Sequence, residues 1–194
     1  MAAHLRAIAV LHERGLQHPT RPELNRAWRE HLPALMANAQ IAESKGHNYR
    51  SPLLRVGCSV LGYSHGKFDT SSMGWNNTPR PLTDEEKAEF KPCGEKHGIL
   101  NCLGRFFLPV GLVAYSDFNQ PDDITGLSLG TLVACSNCEQ WMSVILPPWF
   151  KMMFFRKRLP SDPPSEDPFV RVEMSLNDLG LLHQAAHRDK LKHL

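Results

Sequence analysis

Cys93 and Glu95, in the stretch KPCGEKHGIL, stand two positions apart at what reads as the start of a helix. Cys135 and Cys138, in VACSNCEQWM, stand three apart at the start of another. Thiolates suit zinc, and a helical turn lets residues three apart face one point, so Cys135 and Cys138 can grip one ion while Cys93 supplies a third sulfur. Three protein ligands leave a fourth tetrahedral position for water, which separates a catalytic zinc from a closed structural one. Glu95 is awkward as a ligand beside Cys93. It can instead lean over a bound water, take its proton and deliver it to a leaving amine. A divalent ion with three thiolates carries a net negative charge, which weakens its power to acidify water. Two helix N-termini, each worth about half a positive charge, offset part of this, and Lys96 can offset more.

Other chemistries are open to the same thiols. A structural zinc needs a fourth ligand, for which His97 is available. A redox pair is a third use of C-x-x-C, although that motif normally opens a thioredoxin-like unit near the N-terminus and here comes late. Cys58 and Cys102 fall on an expected strand and helix and read as buried thiols.

The elements that must position these residues follow from periodicity and punctuation. The first 48 residues read as helical: AHLRAIAVLHERG ends at Gly15, and PELNRAWREHLPALMANAQIAESKG stops at Gly46, with Pro33 splitting or kinking it. LLRVGCSVLGY (53–63) and KFDTSSMGW (67–75) read as a hairpin across SHG. Residues 76–92 read as a long loop, with TDEEKAEF as a short helix capped by Thr83. A helix is expected from Cys93 to Gly104, then buried strands PVGLVAYSD (109–117) and GTLVAC (130–135) around the loop FNQPDDITGLS. Ser136 opens a helix that Pro147 and Pro148 stop, MMFFRKRL and FVRVEMS read as strands, and a last helix is capped by Ser175 with Asp178. Alternating strands and helices predict a three-layer α/β/α sandwich around a mixed sheet. The reading is one domain overall, with a helical segment (1–48) packed on a catalytic domain (49–194).

A formal net charge of +2 gives no ground for invoking nucleic acid or an anionic membrane, and no apolar run reaches the length of a span. MAAHLRAIAVLHERGL is interrupted by His, Arg and Glu, so it lacks a signal-peptide core, and five irregularly spaced cysteines do not form a disulfide framework. The expected location is cytoplasmic. PPWFKMMFFRKRLP sets aromatics beside cations and could stack single-stranded bases. The plainer reading is a core strand ending in solvated charges, because Arg156, Lys157 and Arg158 are consecutive and face both ways.

The pattern C-x-E followed by C-x-x-C resembles the zinc-dependent cytidine deaminase superfamily, and its Cys93-Gly94-Glu95 form resembles the free-nucleoside branch. YRSPLLRVGCSVLGY is similar to the family's YSPYSKFPVGAAL strand, and GWNN stands where GCNVEN is expected. The likeness runs over roughly residues 40–182. It implies zinc on Cys93, Cys135 and Cys138, proton transfer by Glu95, and a backbone N–H at Gly94 close to the bound base. Asn76 matches the asparagine on the ribose 3′-hydroxyl, with Asn77 a weaker match. The ribose-binding glutamate is replaced by Thr78, the aromatic that packs on the base by Leu54, and the proline before the second cysteine by Ala134. TPRPLTDEEKAEFK, at 78–91, is an insertion that lengthens one wall of the pocket.

The function expected is that of a zinc-dependent hydrolase of cyclic amidine C–N bonds, releasing ammonia from a cytidine-like nucleoside or related aminated heterocycle. The resemblance also implies a homo-oligomer, dimer or tetramer. Two alternatives stand beside it: a deaminase acting on RNA or DNA, including a toxin domain, and a zinc-bearing scaffold without turnover. Glu95 counts against the scaffold, which has no chemical use for a carboxyl there.

Overall fold

The computed structural model describes residues 17–48, 54–78, 93–117, 131 and 133–191. The expected helix ending at Gly15, the TDEEKAEF helix and the FNQPDDITGLS loop lie outside these residues.

Helix α1 (Arg21–Glu43) begins with a capping box: the Thr20 side chain accepts from the Glu23 N–H, and the Glu23 carboxylate accepts from the Thr20 N–H at 2.8 Å. Leu24, Ala27, Trp28, Leu35, Ala39 and Ala42 recur at helical spacing and make its buried face. Of the two expected outcomes at Pro33, two helices or one kinked helix, the chain forms one continuous helix. Pro33 is exposed, so the carbonyl one turn earlier that loses its partner remains within reach of water.

Five strands form a mixed sheet: β2 (Gly57–Ser64), β3 (Lys67–Trp75), β5 (Leu108–Tyr115), β6 (Lys151–Lys157) and β7 (Phe169–Ser175), in the order β3-β2-β5-β6-β7. β2 and β3 are the expected hairpin, turning at His65 and Gly66, both with positive φ. β5 is antiparallel to β2 and parallel to β6, and β6 is antiparallel to β7. Two short segments that the sequence left in loops, β1 (His47–Asn48) and β4 (Asn77–Thr78), pair in parallel beside it. Of the expected strand at 130–135, the described residues Thr131 and Val133 to Cys135 are not in a strand: Val133 to Cys135 lead directly into α3 (Ser136–Ile145), and β6 lies beside β5. Val133 and Ala134 are buried, so their apolar character serves the core without a ladder.

Alternation divides the sheet's side chains between two cores. Cys58, Val60, Leu112, Ala114, Met152 and Phe154 join Ile99 and Cys102 of α2 (Gly94–Gly104), Met142 of α3, and Leu179 of α4 (Leu176–Leu191). Leu61, Val113, Tyr115, Met153 and Phe155 join Leu24, Trp28, Leu35 and Ala39 of α1. A bulge between Leu61 and Gly62 shifts β5 by one residue, which puts Val110 on the α1 side. α4 starts as expected: the Ser175 hydroxyl accepts from the Asp178 N–H at 3.2 Å, and Asp178 accepts from the Ser175 N–H at 3.0 Å.

Candidate metal centre

Cys93 and Cys135 each occupy the position just before a helix, in extended conformation, with φ, ψ of −85°, 144° and −67°, 160°. From there a side chain projects toward the helix's own N–H groups, where an anion is favoured. Cys138 lies one turn into α3 and is buried. The three sulfurs lie within 4.8 Å of one another. Three thiols this close together are a donor set that could hold a metal ion. Among the described residues it is the one group of three or more such donors that converges.

What sets the start of α2 is a seam of missing side chains. A Cβ on Gly74 of β3 would stand 2.1 Å from the Gly98 N of α2 and 2.4 Å from the Gly94 carbonyl. A Cβ on Gly94 would stand 3.0 Å from the Val56 carbonyl. α2 therefore lies with its backbone directly on the β2–β3 hairpin, and Cys93 is set by that contact.

Glu95 is 7% exposed, and the Cys138 thiol donates toward its Oε2 at 3.9 Å. Burial, reinforced by the Cys135 thiolate, pushes its carboxyl up to about 7. The thiols divide their protons unevenly. Hydrogen bonds from Cys138 and Cys93, helped by the N–H groups of Cys138 and Asn137, hold Cys135 well below the ordinary thiol value. The same bonds to Cys135 hold Cys93 and Cys138 well above it. A divalent cation bound here would displace the protons shared among the three thiols.

No protein-family model matches the sequence, and no curated protein matches it. Among solved structures, the chain is similar to cytidine deaminase from Burkholderia pseudomallei, at 18% identity and a TM-score of 0.48, over 75% of this chain and 93% of that one.

The remaining site expectations fall into place unevenly. Lys96 is 9% exposed; its ammonium donates to Asn137 Oδ1 at 2.9 Å and lies over the Trp141 ring at 5.5 Å. It thereby ties the first turns of α2 and α3 together beside the sulfurs. Asn137 and Trp141 carry no sequence signal of this role, because each meets Lys96 from another element. His97 does not join the sulfurs. Its ring stacks edge-on against Trp75 and its Nδ1 lies on the Trp75 backbone, so it is not the fourth ligand of a closed site. Asn76 and Leu54 are brought together: Asn76 Nδ2 donates to the Leu54 carbonyl at 2.8 Å, and its Oδ1 accepts from the Val56 N–H at 2.8 Å. Asn77 is exposed in β4. Residues 79–92, most of the insertion, lie outside the described residues. Cys58 and Cys102 are buried, and burial raises both thiols, Cys102 to about 12.

The basic run is consumed internally. Arg156 is buried and makes a bidentate pair with Asp162 at 2.6 and 2.7 Å, and Arg158 donates to the carbonyls of Pro163, Asp167 and Phe169. Lys157 pairs with Asp117 at 3.4 Å. Among the described residues, no helix is long and apolar enough to cross a membrane.

Proposed function

We propose that this chain is a zinc-dependent hydrolytic deaminase of the three-layer α/β/α cytidine deaminase type, releasing ammonia from a cytidine-like nucleoside or related aminated heterocycle. The observation that carries the reading is the convergence of Cys93, Cys135 and Cys138 at two helix N-termini with the Glu95 carboxyl buried against them. Cys93, Cys135 and Cys138 would hold the ion. When bound, zinc supplies a water acidified toward neutral pH. Glu95 has the remaining work: it accepts a proton, holds it in a water-poor site, and returns it to the departing amine. One C–O bond forms and one C–N bond breaks; of the two water protons, one leaves with ammonia by way of Glu95 and the other ends on the ring nitrogen.

Substrate contacts fall to Gly94, Asn76 and Leu54. At Gly94 the chain packs tightly on Val56 and Cys58, and its backbone N–H would lie close to the bound base beside Glu95. Each amide atom of Asn76 spends one bond on the backbone, so one N–H and one lone pair remain for a sugar hydroxyl. Leu54 supplies apolar contact where stacking would otherwise be found. The internal pairing of Arg156, Lys157 and Arg158 favours a small substrate over a polynucleotide. Assembly as a homo-oligomer and a cytoplasmic setting belong to the same reading.

The test is ammonia release by zinc-loaded protein from a panel of cytidine-like nucleosides and free aminated bases. Turnover of at least one is expected. No ammonia from any of them, with zinc bound, contradicts the reading.

A further inference from the structure

The Cys135 turn is braced from a distant element. His183 of α4 places its ring Nε2 2.9 Å from the carbonyl of Ala134, the residue immediately before a candidate ligand. A carbonyl only accepts, so His183 donates from an Nε2 that carries a proton. We propose that His183 is a positioning residue for the metal centre, acting through the Ala134–Cys135 peptide; this rests on the zinc reading above.

The argument is one of degrees of freedom. Peptide planarity means that fixing the Ala134 carbonyl also fixes the direction of the Cys135 N–H. Cys135 must then enter α3 with its sulfur toward Cys93 and Cys138, while its own carbonyl accepts the Glu139 N–H at 2.9 Å to close the first turn. Downstream, the turn is held by that helical bond and by Lys96 on Asn137. Upstream, Ala134 brings no restraint of its own, since alanine leaves φ free where a proline would lock it. His183 supplies the missing restraint from outside the segment.

α4 is placed to do this. Gly180, one turn before His183, lets the helix approach α3 closely: a Cβ there would stand 3.1 Å from Glu139 Oε1. His183 also borders a groove between α3 and α4 lined by Ser136, Glu139, Gln184 and His187. Because one side of the ring faces that groove, replacing it opens no void in the core.

The experiment uses the full chain reconstituted with cobalt(II), whose absorption reports thiolate coordination geometry, and competition against a chromophoric chelator for affinity. His183→Leu removes the donor, His183→Gln places an amide N–H near the same position, and His187→Leu changes the same groove one turn on. His183→Leu is expected to bind about fivefold to tenfold more weakly, the scale of one lost hydrogen bond, with an altered ligand-field spectrum. His183→Gln and His187→Leu should stay within about twofold of the parent, with its spectrum. A Leu variant that matches the parent, or a Gln variant as impaired as Leu, overturns the positioning role and leaves the zinc reading standing. A parent chain that takes up no cobalt or zinc overturns the zinc reading and the positioning role with it.

Discussion

The two faces of the sheet each bury a carboxylate, and they treat it differently. On the α1 face, Glu43 is pushed up by burial, but the Arg55 guanidinium stands 3.0 Å away and works against the shift. On the other face, among the described residues no cation lies within ion-pair distance of Glu95; the adjacent Lys96 donates to Asn137 instead. Glu43 is a structural corner with a partner, while Glu95 is left to face thiols. A buried carboxylate without a cation partner beside ligand-type side chains is what the proposed proton-transfer role of Glu95 requires.

Substitution of the two carboxylates breaks or upholds that contrast most sharply. Glu95→Gln should lower kcat by about a hundredfold to ten-thousandfold while zinc content is unchanged, the range for removal of a proton-transfer group. Glu43→Gln should leave kcat within about twofold, since no step uses it. Comparable losses from both, in steady-state ammonia assays, would erase the distinction.

Packing gives the next contrast. A Cβ on Gly57 would stand 2.0 Å from the Glu43 N of α1, as one on Gly74 would stand 2.1 Å from the Gly98 N of α2. Gly57→Ala and Gly74→Ala should each cost about 1–3 kcal/mol in denaturant unfolding, the scale of core overpacking. Only Gly74→Ala should also weaken metal binding, because only α2 carries a ligand at its start. Equal metal affinity in the two variants would contradict that division.

The smallest effects are in pH dependence, and their signs are opposite. Glu43 has a folded pKa above its ordinary 4.5, so its ionisation costs stability as pH rises from there through the raised value. Glu43→Gln should therefore gain relative to the parent at neutral pH, with the gap closing near pH 4. Asp162 is held below its ordinary 3.8, chiefly by its hydrogen bonds from Arg156. Its contribution is present at neutral pH and lost as pH falls through the lowered value, so Asp162→Asn should be destabilising at pH 7 and near neutral in strong acid. Melting temperatures across pH read both.

What could be read from the letters divides along the same line between local and distant causes. Cys93, Cys135 and Cys138 were legible because their spacing and the helix starts are local facts, and β2, β3, β6 and β7 because alternation or a short apolar run is local too. The apolar run at 130–135 misled because burial and β-branching look alike whether a segment pairs in a ladder or only covers a core, as Val133 and Ala134 do. β1 and β4 have two residues each, too few to show a period. His97 on Trp75, Arg156 on Asp162 and His183 on Ala134 depend on where another element comes to rest. No window of sequence contains those pairs together with their geometry.

X-ray absorption at the zinc edge of the purified chain examines the ion's surroundings with the fewest assumptions. Three sulfur neighbours at about 2.3 Å and one lighter oxygen or nitrogen neighbour are expected, in protein carrying one zinc per chain. Absence of zinc, a shell of four sulfurs, or coordination that survives Cys135→Ala unchanged would contradict the account.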